Sequence, residues 1–311
     1  MASTHVSDSL HWIAADWGTS SLRLWAMSQD GAVLARAASQ DGMGGLTPDR
    51  YESVLLALIG DWLPVRPVHT VPVVVCGMAG ARQGWREAAY RSVPCAPVAG
   101  GAMTPVATSD ARIAVSIIPG LLQASPADVM RGEETQLAGL VARIGSRDAI
   151  ACMPGTHSKW VRIENGQVAG FTTVMTGEIF ALLANHSVLR HSVAIEGEDR
   201  QAFASAVREM MESPERLTAS LFSVRAASLL SGVDGTSGRA RLSGLLIGAE
   251  LAAMRMLWSD NPVHLIGSGP LSAAYGEALR IAGGDAVIEM GEALTLAGLR
   301  VAYRTMEREA A

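Results

Sequence analysis

Two segments of the chain, DWGTSSLRLWAMSQDGAVLA (residues 16–35) and MPGTHSKWVRIENGQVAG (residues 153–170), follow one pattern. Each runs from a strand end through a Gly-Thr turn to a basic residue and an apolar strand, and then to an Asp-Gly or Asn-Gly hairpin. Hairpins also recur by chance in α/β proteins, which is the simpler explanation. The match favours a duplicated fold of two lobes, each beginning with the same β-turn-β-hairpin unit and facing a shared cleft.

The rest of the chain alternates predicted strands with predicted helices, which is typical of an α/β protein. A helix is predicted over 125–144, with Ser125 as N-cap and Pro126 at its first position. The later chain is predicted to be mostly helical. We place the division between the lobes at the GSRD stretch, so that 1–146 forms the N-terminal lobe and 147–311 the C-terminal lobe.

The composition limits the classes of partner. Of 311 residues, 18% are charged and the net charge is −5, without a Lys/Arg cluster, which argues against nucleic acid and anionic membranes. No apolar run is long enough to span a membrane, and the first 30 residues lack a secretory signal pattern. Cys76, Cys95 and Cys152 have neither disulfide-framework nor zinc spacing, which suits free thiols. We expect a soluble cytoplasmic protein, with a homodimer left open.

The Gly-Thr turns have the composition of anion-binding loops. Glycine lets backbone N–H groups approach a phosphate and the hydroxyls add donors, whereas a P-loop is excluded because no G-x-x-x-x-G-K-[ST] sequence occurs. Two such turns, one per lobe, would hold the β- and γ-phosphates of a nucleotide from both sides. Asp16 precedes the first turn, where its carboxylate would organise Mg²⁺ or simply cap the turn. The predicted phosphate contacts are Gly18, Thr19, Ser20, Gly155, Thr156 and Ser158.

Phosphoryl transfer to a hydroxyl requires a base, and a carboxylate of the predicted helix over 125–144 is the first candidate. At about 100° per residue, Glu133 falls near the middle of the apolar arc of this helix, while Glu134 lies outside its edge. Burial would raise the pKa of a carboxyl group there, as a general base requires. Alternatively, the helix dipole favours Glu133 and the side chain pairs with Arg131. Asp128 and Glu134 remain alternative bases.

Lys159 is the only lysine among the 25 lysines and arginines of the chain. It follows the second Gly-Thr turn, where a compact ammonium group would act catalytically by stabilising the transferred phosphoryl group. The alternative is a surface lysine in an arginine-rich chain. His157, in the same turn, would bond phosphate or substrate, or serve only the structure of the turn.

The segment GMAGARQGW (77–85) follows a predicted buried strand, where open α/β sheets bind ligands. A sugar-acid carboxylate would suit a bidentate arginine, for which Arg82 is the first candidate, followed by Arg23 and Arg86. Gln83 and Trp85 would bind hydroxyls or stack on the sugar. The alternative is that these arginines are ordinary surface residues.

Five segments, in this order, carry a resemblance to a known family: DWGTSSLRLW, GMAGARQGW, DVMRGEETQLAGL, PGTHSKW and MTGEIFALL. Over nearly its whole length, the chain resembles the sugar kinase/Hsp70/actin superfamily and, within it, the 2-dehydro-3-deoxygalactonokinase family. The resemblance implies an α/β fold of two actin-like (ribonuclease H-like) lobes with a nucleotide cleft between them. It also implies ATP, Mg²⁺ and phosphorylation of the 6-hydroxyl of 2-dehydro-3-deoxy-D-galactonate, in galactonate and galactose catabolism. VHLIGSGPL resembles the adenosine motif, in which Gly267, Ser268 and Gly269 would hold the adenosine or the α-phosphate.

Other functions stay open. A kinase for a different sugar acid, such as the C4 epimer, would leave no distinguishing mark on the sequence. A phosphohydrolase of the same superfamily would use water in place of the sugar. A nucleotide-driven sensor would signal by closing on its ligand, but we expect such a protein to carry a further binding domain, and the segments above leave no residues for one.

Overall fold

The computed structural model describes residues 6–65 and 70–310. The chain divides into two compact units. The first consists of Met1–Ser146, Asn165–Val168 and Gly291–Ala311, and the second of Arg147–Glu164 and Ala169–Met290. The predicted C-terminal lobe, 147–311, therefore differs from the second unit, because the last helix of the chain belongs to the first unit.

The first unit begins with strands that alternate with short helices. Its elements before residue 147 are α1 (Val6–Ser9), β1 (Trp12–Trp17), β2 (Leu22–Met27), β3 (Val33–Ser39), α2 (Tyr51–Ile59), β4 (Val71–Gly77), β5 (Arg91–Ser92), β6 (Thr104–Val106), β7 (Ile113–Ile117), β8 (Leu121–Gln123), β9 (Asp128–Met130) and α3 (Glu133–Ile144).

The second unit is richer in helix, as the sequence predicts. Its elements are β10 (Ala149–Met153), β11 (Ser158–Glu164), β12 (Gln167–Val174), α4 (Thr176–His186), α5 (Arg200–Glu212), α6 (Leu217–Ser231), α7 (Gly235–Ala253), α8 (Arg255–Trp258), β13 (Val263–Ile266), α9 (Gly269–Ala282) and β14 (Ala286–Glu289). The chain then returns to the first unit as α10 (Gly291–Ala310). Within the described part of the chain, no helix is both long and apolar enough to cross a membrane.

The main sheets of the two units share a strand order. In the first unit it is β3-β2-β1-β4-β7-β6, and in the second β12-β11-β10-β13-β14. β1 pairs antiparallel with β2 and parallel with β4, and β10 pairs in the same way with β11 and β13. Apart from β6, which adds an antiparallel edge strand to the first sheet, both sheets therefore have the 3-2-1-4-5 order of a ribonuclease H-like fold. The predicted α/β class with two such lobes is confirmed.

Alternating side chains of the first sheet form two apolar layers, because successive residues of a strand point to opposite faces. One face, which includes Ile13 and Val73, packs against Tyr51 and Leu55 of α2. The opposite face packs against α10. Asp16 lies on this second face, since it is an even number of residues from Trp12.

Helix α3 begins later than predicted. The predicted helix over 125–144 was wrong in its first part, because Asp128–Met130 forms a strand that pairs with β8. Ser125 and Pro126 lie in the turn between these two strands. The same residue types favour turns and helix starts, so this part of the pattern was ambiguous. The helix itself starts at Glu133, after Gly132 with a φ of 104°.

Helix α10 packs very closely against α3. A Cβ atom at Gly139 of α3 would overlap the backbone of Leu294, and one at Gly298 of α10 would overlap the carbonyl oxygen of Thr135. Leu299 and Tyr303 of α10 are buried in the same apolar cluster as Ala138 of α3. The last helix of the chain therefore fixes the position of α3 in the first unit.

We predict that Gly298→Ala lowers the free energy of unfolding by about 1–3 kcal/mol, because the added methyl group has no room beside Thr135 and overpacking costs that much. Urea unfolding of the purified chain measures the effect. The matched control is Gly276→Ala in α9, whose methyl would meet Ile288 Cδ1 at 3.6 Å and Leu265 Cδ2 at 3.7 Å. Equal stability changes in the two variants would contradict the prediction.

Candidate active site

Asp16 lies one residue before the end of β1, at the edge of the first sheet that precedes the Gly-Thr turn. The parallel pairing of β1 with β4 places Cys76 opposite Asp16, and the Cys76 thiol lies 3.7 Å from Asp16 Oδ1. The Asp16 side chain is 17% exposed. Its carboxylate is therefore held by the sheet but keeps one side open.

The first Gly-Thr turn has exposed hydroxyls on a tightly held backbone. Gly18 N–H donates to the Ser21 carbonyl oxygen at 2.8 Å, and Gly44 N–H donates to the Thr19 carbonyl oxygen at 2.9 Å. The side chains of Thr19 and Ser20 are exposed. A Cβ atom at Gly42 would overlap the backbone of this turn, so a glycine is needed there. The turn thus presents polar groups from a fixed backbone, next to Asp16 in the chain.

Arg23 is not available for a sugar-acid carboxylate in this arrangement. Its guanidinium forms an ion pair with Asp16, its partner in the register of β1 and β2, and lies 3.6 Å from Glu292. Glu292 also pairs with Arg36 at 2.9 Å. The structure therefore places Arg23 with Asp16 rather than with the other predicted sugar-acid residues.

The acidic segment at the start of α3 lies against the ends of β1 and β4. Glu134 is fully buried; its Oε2 accepts the Gly132 N–H at 2.6 Å, and Thr135 Oγ1 donates to its Oε1 at 3.1 Å. Burial, together with the charge of Glu133, raises the pKa of Glu134 to about 8. Burial and then the charges of Asp16 and Glu134 raise the pKa of the Cys76 thiol. The fold thus brings these acidic groups together around one buried cysteine.

The expected burial of the two glutamates was wrong. Glu134, which the helical periodicity placed outside the apolar arc, is the buried one, and Glu133 is only half-buried. The periodicity was counted from residues before Glu133, but Asp128–Met130 forms β9. The side of α3 that carries Glu134 lies near Cys76 of β4. Glu133 Oε2 accepts the Arg131 backbone N–H at 3.1 Å. Asp128, the third candidate base, lies on β9 and not on the helix.

The loop after β4 projects three of the predicted sugar-acid residues into solvent. Gly77 has a φ of 87°, and a Cβ atom there would lie 2.6 Å from the Trp17 carbonyl oxygen. The side chains of Arg82, Gln83 and Arg86 are exposed. The loop is therefore a rigid support for exposed polar side chains.

Trp85, by contrast, belongs to the support of this loop. Its ring is half-buried and stacks on Tyr51 at a centroid distance of 5.7 Å. It also meets the edge of Trp17 at 5.8 Å. The structure therefore uses Trp85 to pack the loop on the first sheet, which leaves less of the ring for stacking on a sugar.

Arg131 joins this loop to the acidic segment, a role that the sequence did not reveal. Its Nη2 donates to the Ala88 carbonyl oxygen at 2.7 Å, and its guanidinium lies 4.4 Å from the centre of the Tyr90 ring. Among the described residues, Nε and Nη1 are buried without a hydrogen-bond partner. A basic residue directly before Gly-Glu-Glu was the available signal, but its partners lie more than 40 positions earlier in the chain.

The second Gly-Thr turn, in the second unit, exposes fewer of its predicted contacts. Thr156 is exposed, but Ser158 is fully buried and its hydroxyl lies 2.8 Å from the Tyr275 hydroxyl. His157 Nε2 pairs with Glu178 Oε2 at 2.6 Å. The burial of Ser158 argues against a phosphate contact by its side chain. Gly155 and Thr156 remain as the predicted phosphate contacts of this turn.

Lys159 is buried rather than displayed in the turn. It is the second residue of β11, pairs with Met153 of β10, and is 5% exposed. The interpretation as a random surface lysine was therefore wrong. Lys159 belongs to a strand of the second sheet and directly follows the turn. Its catalytic role stays a prediction.

The predicted adenosine residues form the start of α9. Gly267 follows β13, Ser268 is the N-cap, and Gly269 has a φ of 76°. Ser268 and Gly269 are exposed, and the Ser268 side chain caps no backbone N–H of the helix. The backbone N–H groups at the start of α9 are oriented as they are at helix N-termini that bind phosphate and other anions.

Mg²⁺ is implied by the resemblance. Over the described residues, no group of three or more His, Cys, Asp or Glu side chains could hold a metal ion. Mg²⁺ usually keeps several waters and takes one or two carboxylates together with substrate phosphates. The partly open carboxylate of Asp16 fits that mode of binding, with a single protein ligand.

Two ribonuclease H-like units, each with a Gly-Thr turn after its first strand, are features of the sugar kinase/Hsp70/actin superfamily. The chain belongs to the 2-keto-3-deoxy-galactonokinase family, whose model matches residues 16–302.

Curated relatives and a solved structure are similar over almost the whole chain. One relative is "Probable 2-dehydro-3-deoxygalactonokinase DgoK1" of Rhizobium meliloti (strain 1021), 43% identical over 95% of this chain and 97% of the relative. The 2-dehydro-3-deoxygalactonokinase of Escherichia coli (strain K12) is 36% identical over 93% of this chain and 96% of the relative. The solved structure "Crystal structure of a putative 2-dehydro-3-deoxygalactonokinase protein from Sinorhizobium meliloti" has a TM-score of 0.87 at 42% identity. The match covers 95% of this chain and 99% of that chain.

The raised pKa of Glu134 predicts a pH dependence of stability. The folded state holds this proton up to about pH 8, whereas an unfolded glutamate releases it near its ordinary pKa of 4.5. The stability that Glu134 contributes by holding this proton is complete below about pH 4.5. It is lost as the pH rises through the folded-state pKa of about 8.

The variant Glu134→Gln lacks this titration, so the wild type should lose stability relative to it between about pH 5 and 8. The loss should be about 1 kcal/mol per pH unit and level off above that range. Urea unfolding of both proteins at several pH values measures the difference. Parallel stability profiles would contradict the assignment of a buried, protonated carboxyl group.

Proposed function

We propose that the protein is an ATP-dependent kinase that phosphorylates the 6-hydroxyl of 2-dehydro-3-deoxy-D-galactonate, in galactonate catabolism. The observation that carries this proposal is the family match over residues 16–302, because it includes every segment of the candidate site. The curated relatives that bear this enzyme name cover almost the whole chain, which supports the same activity.

The chemical step proposed is a direct in-line transfer. The carboxylate of Glu133 accepts the proton of the 6-hydroxyl while the oxygen bonds to the γ-phosphorus of ATP. The bond from that phosphorus to the β-phosphate oxygen breaks, and ADP leaves. Glu133 is favoured over Glu134 because its half-buried side chain is reachable, whereas the fully buried carboxyl of Glu134 is already bonded to Gly132 and Thr135.

The phosphates of ATP are assigned to backbone turns. In the first unit, Gly18, Thr19 and Ser20 are proposed to contact phosphate, which their exposed polar groups support. In the second unit, the same role is proposed for Gly155 and Thr156. Asp16 would hold a Mg²⁺ ion through its carboxylate, and such an ion would neutralise charge on the phosphate oxygens. Gly267, Ser268 and Gly269 are proposed for the adenosine end.

The sugar acid is assigned to the loop after β4. Arg82 is proposed to bind its carboxylate, since this guanidinium is exposed, forms no hydrogen bond or ion pair with the described residues, and extends from a rigid backbone. Gln83 is proposed to bind a hydroxyl. Arg131 would keep the loop beside the acidic segment, through its bond to Ala88.

An assay of ADP release tests the function. The purified protein is supplied with MgATP, with and without 2-dehydro-3-deoxygalactonate and, separately, the C4 epimer of that sugar acid. Turnover that depends on the galactonate derivative is expected. Preference for the epimer would mean a kinase for a different sugar acid. Turnover without any sugar would mean a phosphohydrolase, and binding without turnover a sensor.

The variant Glu133→Gln should lower kcat by about 10²–10⁴, because the loss of a general base has an effect of that size. The dissociation constant for MgADP should stay close to that of the wild type, since Glu133 is not assigned to the nucleotide. Steady-state kinetics and calorimetry provide the two values. Glu134→Gln is the matched variant, and a larger loss of kcat there than in Glu133→Gln would transfer the role of base to Glu134.

A further inference from the structure

A buried carboxylate lies behind the second Gly-Thr turn. Glu250 of α7 is 3% exposed, and its Oε1 accepts the Trp160 indole N–H at 2.8 Å. Its Oε2 accepts the Tyr275 hydroxyl at 2.7 Å, and Thr176 hydrogen-bonds the same carboxyl group. A buried carboxylate is costly unless its oxygens are bonded in this way. The function described so far does not account for this group.

The Tyr275 hydroxyl extends the network to one end of the turn. It lies 2.8 Å from the Ser158 hydroxyl, and both groups are buried. Ser158 is the first residue of β11, and only His157 separates it from Thr156, which is proposed to contact phosphate. The side chain predicted as a phosphate ligand is thus an anchor to the core, through a tyrosine of α9.

Thr176 extends the same network to the other side of the turn. It is the first residue of α4, and the next residues pack directly on the turn. Glu178 N–H donates to the Thr156 carbonyl oxygen at 2.9 Å. A Cβ atom at Gly177 would lie 2.9 Å from Thr156 Cα, so only glycine allows this approach. One carboxylate therefore holds both the strand that leaves the turn and the helix that backs it.

The network is not required to fill the core around it. Cys152, Val207 and Leu265 belong to the apolar cluster that surrounds Trp160 and Tyr275. Apolar side chains of similar volume often replace a buried charged group without loss of stability. The hydrogen bonds that the Glu250 carboxyl group makes on both sides of the turn are better explained by a role in orienting the turn.

We propose that Glu250, acting through Tyr275 and Thr176, is a positioning residue that sets the backbone geometry of the Gly155–Thr156 turn for binding nucleotide phosphate. The inference rests on the kinase function proposed above. It assigns no contact between Glu250 and the nucleotide. Loss of the network should therefore change nucleotide affinity while the sugar-acid site is unaffected.

The test compares Tyr275→Phe and Ser158→Ala with the wild type, since each removes one hydroxyl from the network and little volume. We expect the KM for MgATP and the dissociation constant for MgADP to rise about tenfold, as for a lost bond in a buried charged network. The KM for the sugar acid should change by less than about twofold. Glu250→Gln keeps an acceptor oxygen, so its effect should be smaller than that of Glu250→Ala.

Two control variants separate positioning from stability. Tyr303→Phe removes the hydroxyl that donates to Glu307 in the first unit, and it should leave MgADP binding unchanged. Val207→Ala in α5 opens the same apolar cluster and should lower Tm without weakening MgADP binding.

The outcomes are distinguishable. If Tyr275→Phe and Ser158→Ala lower Tm as Val207→Ala does but bind MgADP like the wild type, the inference is overturned. A wild type that binds MgADP without sugar-dependent turnover would reject the proposed function, and the binding constants of the variants would still decide the inference. A wild type that binds no MgADP would overturn both.

Discussion

The close packing of α10 on α3 is the constraint on which the candidate active site depends. At Gly139 and Gly298 the two helices leave no room for a Cβ atom, so α3 has one position relative to the first sheet. That position places the start of α3 against the ends of β1 and β4, where Asp16 and Cys76 lie side by side. Burial of Glu134 at this position, together with the charge of Glu133, raises the pKa of its carboxyl group.

The two units hold their Gly-Thr turns by different means, although their sheets have the same strand order. The first turn is held by backbone hydrogen bonds to a neighbouring loop, and its hydroxyls remain exposed. The second is held by a buried side-chain network around Glu250, and its serine is part of the interior. A shared fold therefore does not imply that equivalent residues of the two motifs have the same role.

The repeated pattern was enough to predict a duplicated α/β fold of two lobes, because period-two strands, glycine turns and hairpin signals are local properties. The ribonuclease H-like character of the lobes was implied by the family resemblance. The helix over 125–144 was only partly predicted. Ser125 and Pro126 suit a helix start and a turn equally well, and the pairing of β9 with β8 decided between them. The place of α10 in the first unit was missed, since contiguity in sequence carries no information on which sheet a terminal helix covers.

Within the candidate site, the sequence by itself determined which segments are predicted to carry the chemistry: the two Gly-Thr turns, the loop after β4 and the Gly-Glu-Glu segment. Only the tertiary structure decided which side chains of these segments are reachable. Glu134 is buried and lies near Cys76 of β4, whereas Glu133 is half-buried. Ser158 and Lys159 lie inside the second unit because β11 begins directly at the turn. Burial depends on partners that are distant in the chain, and residue type and spacing do not encode it locally.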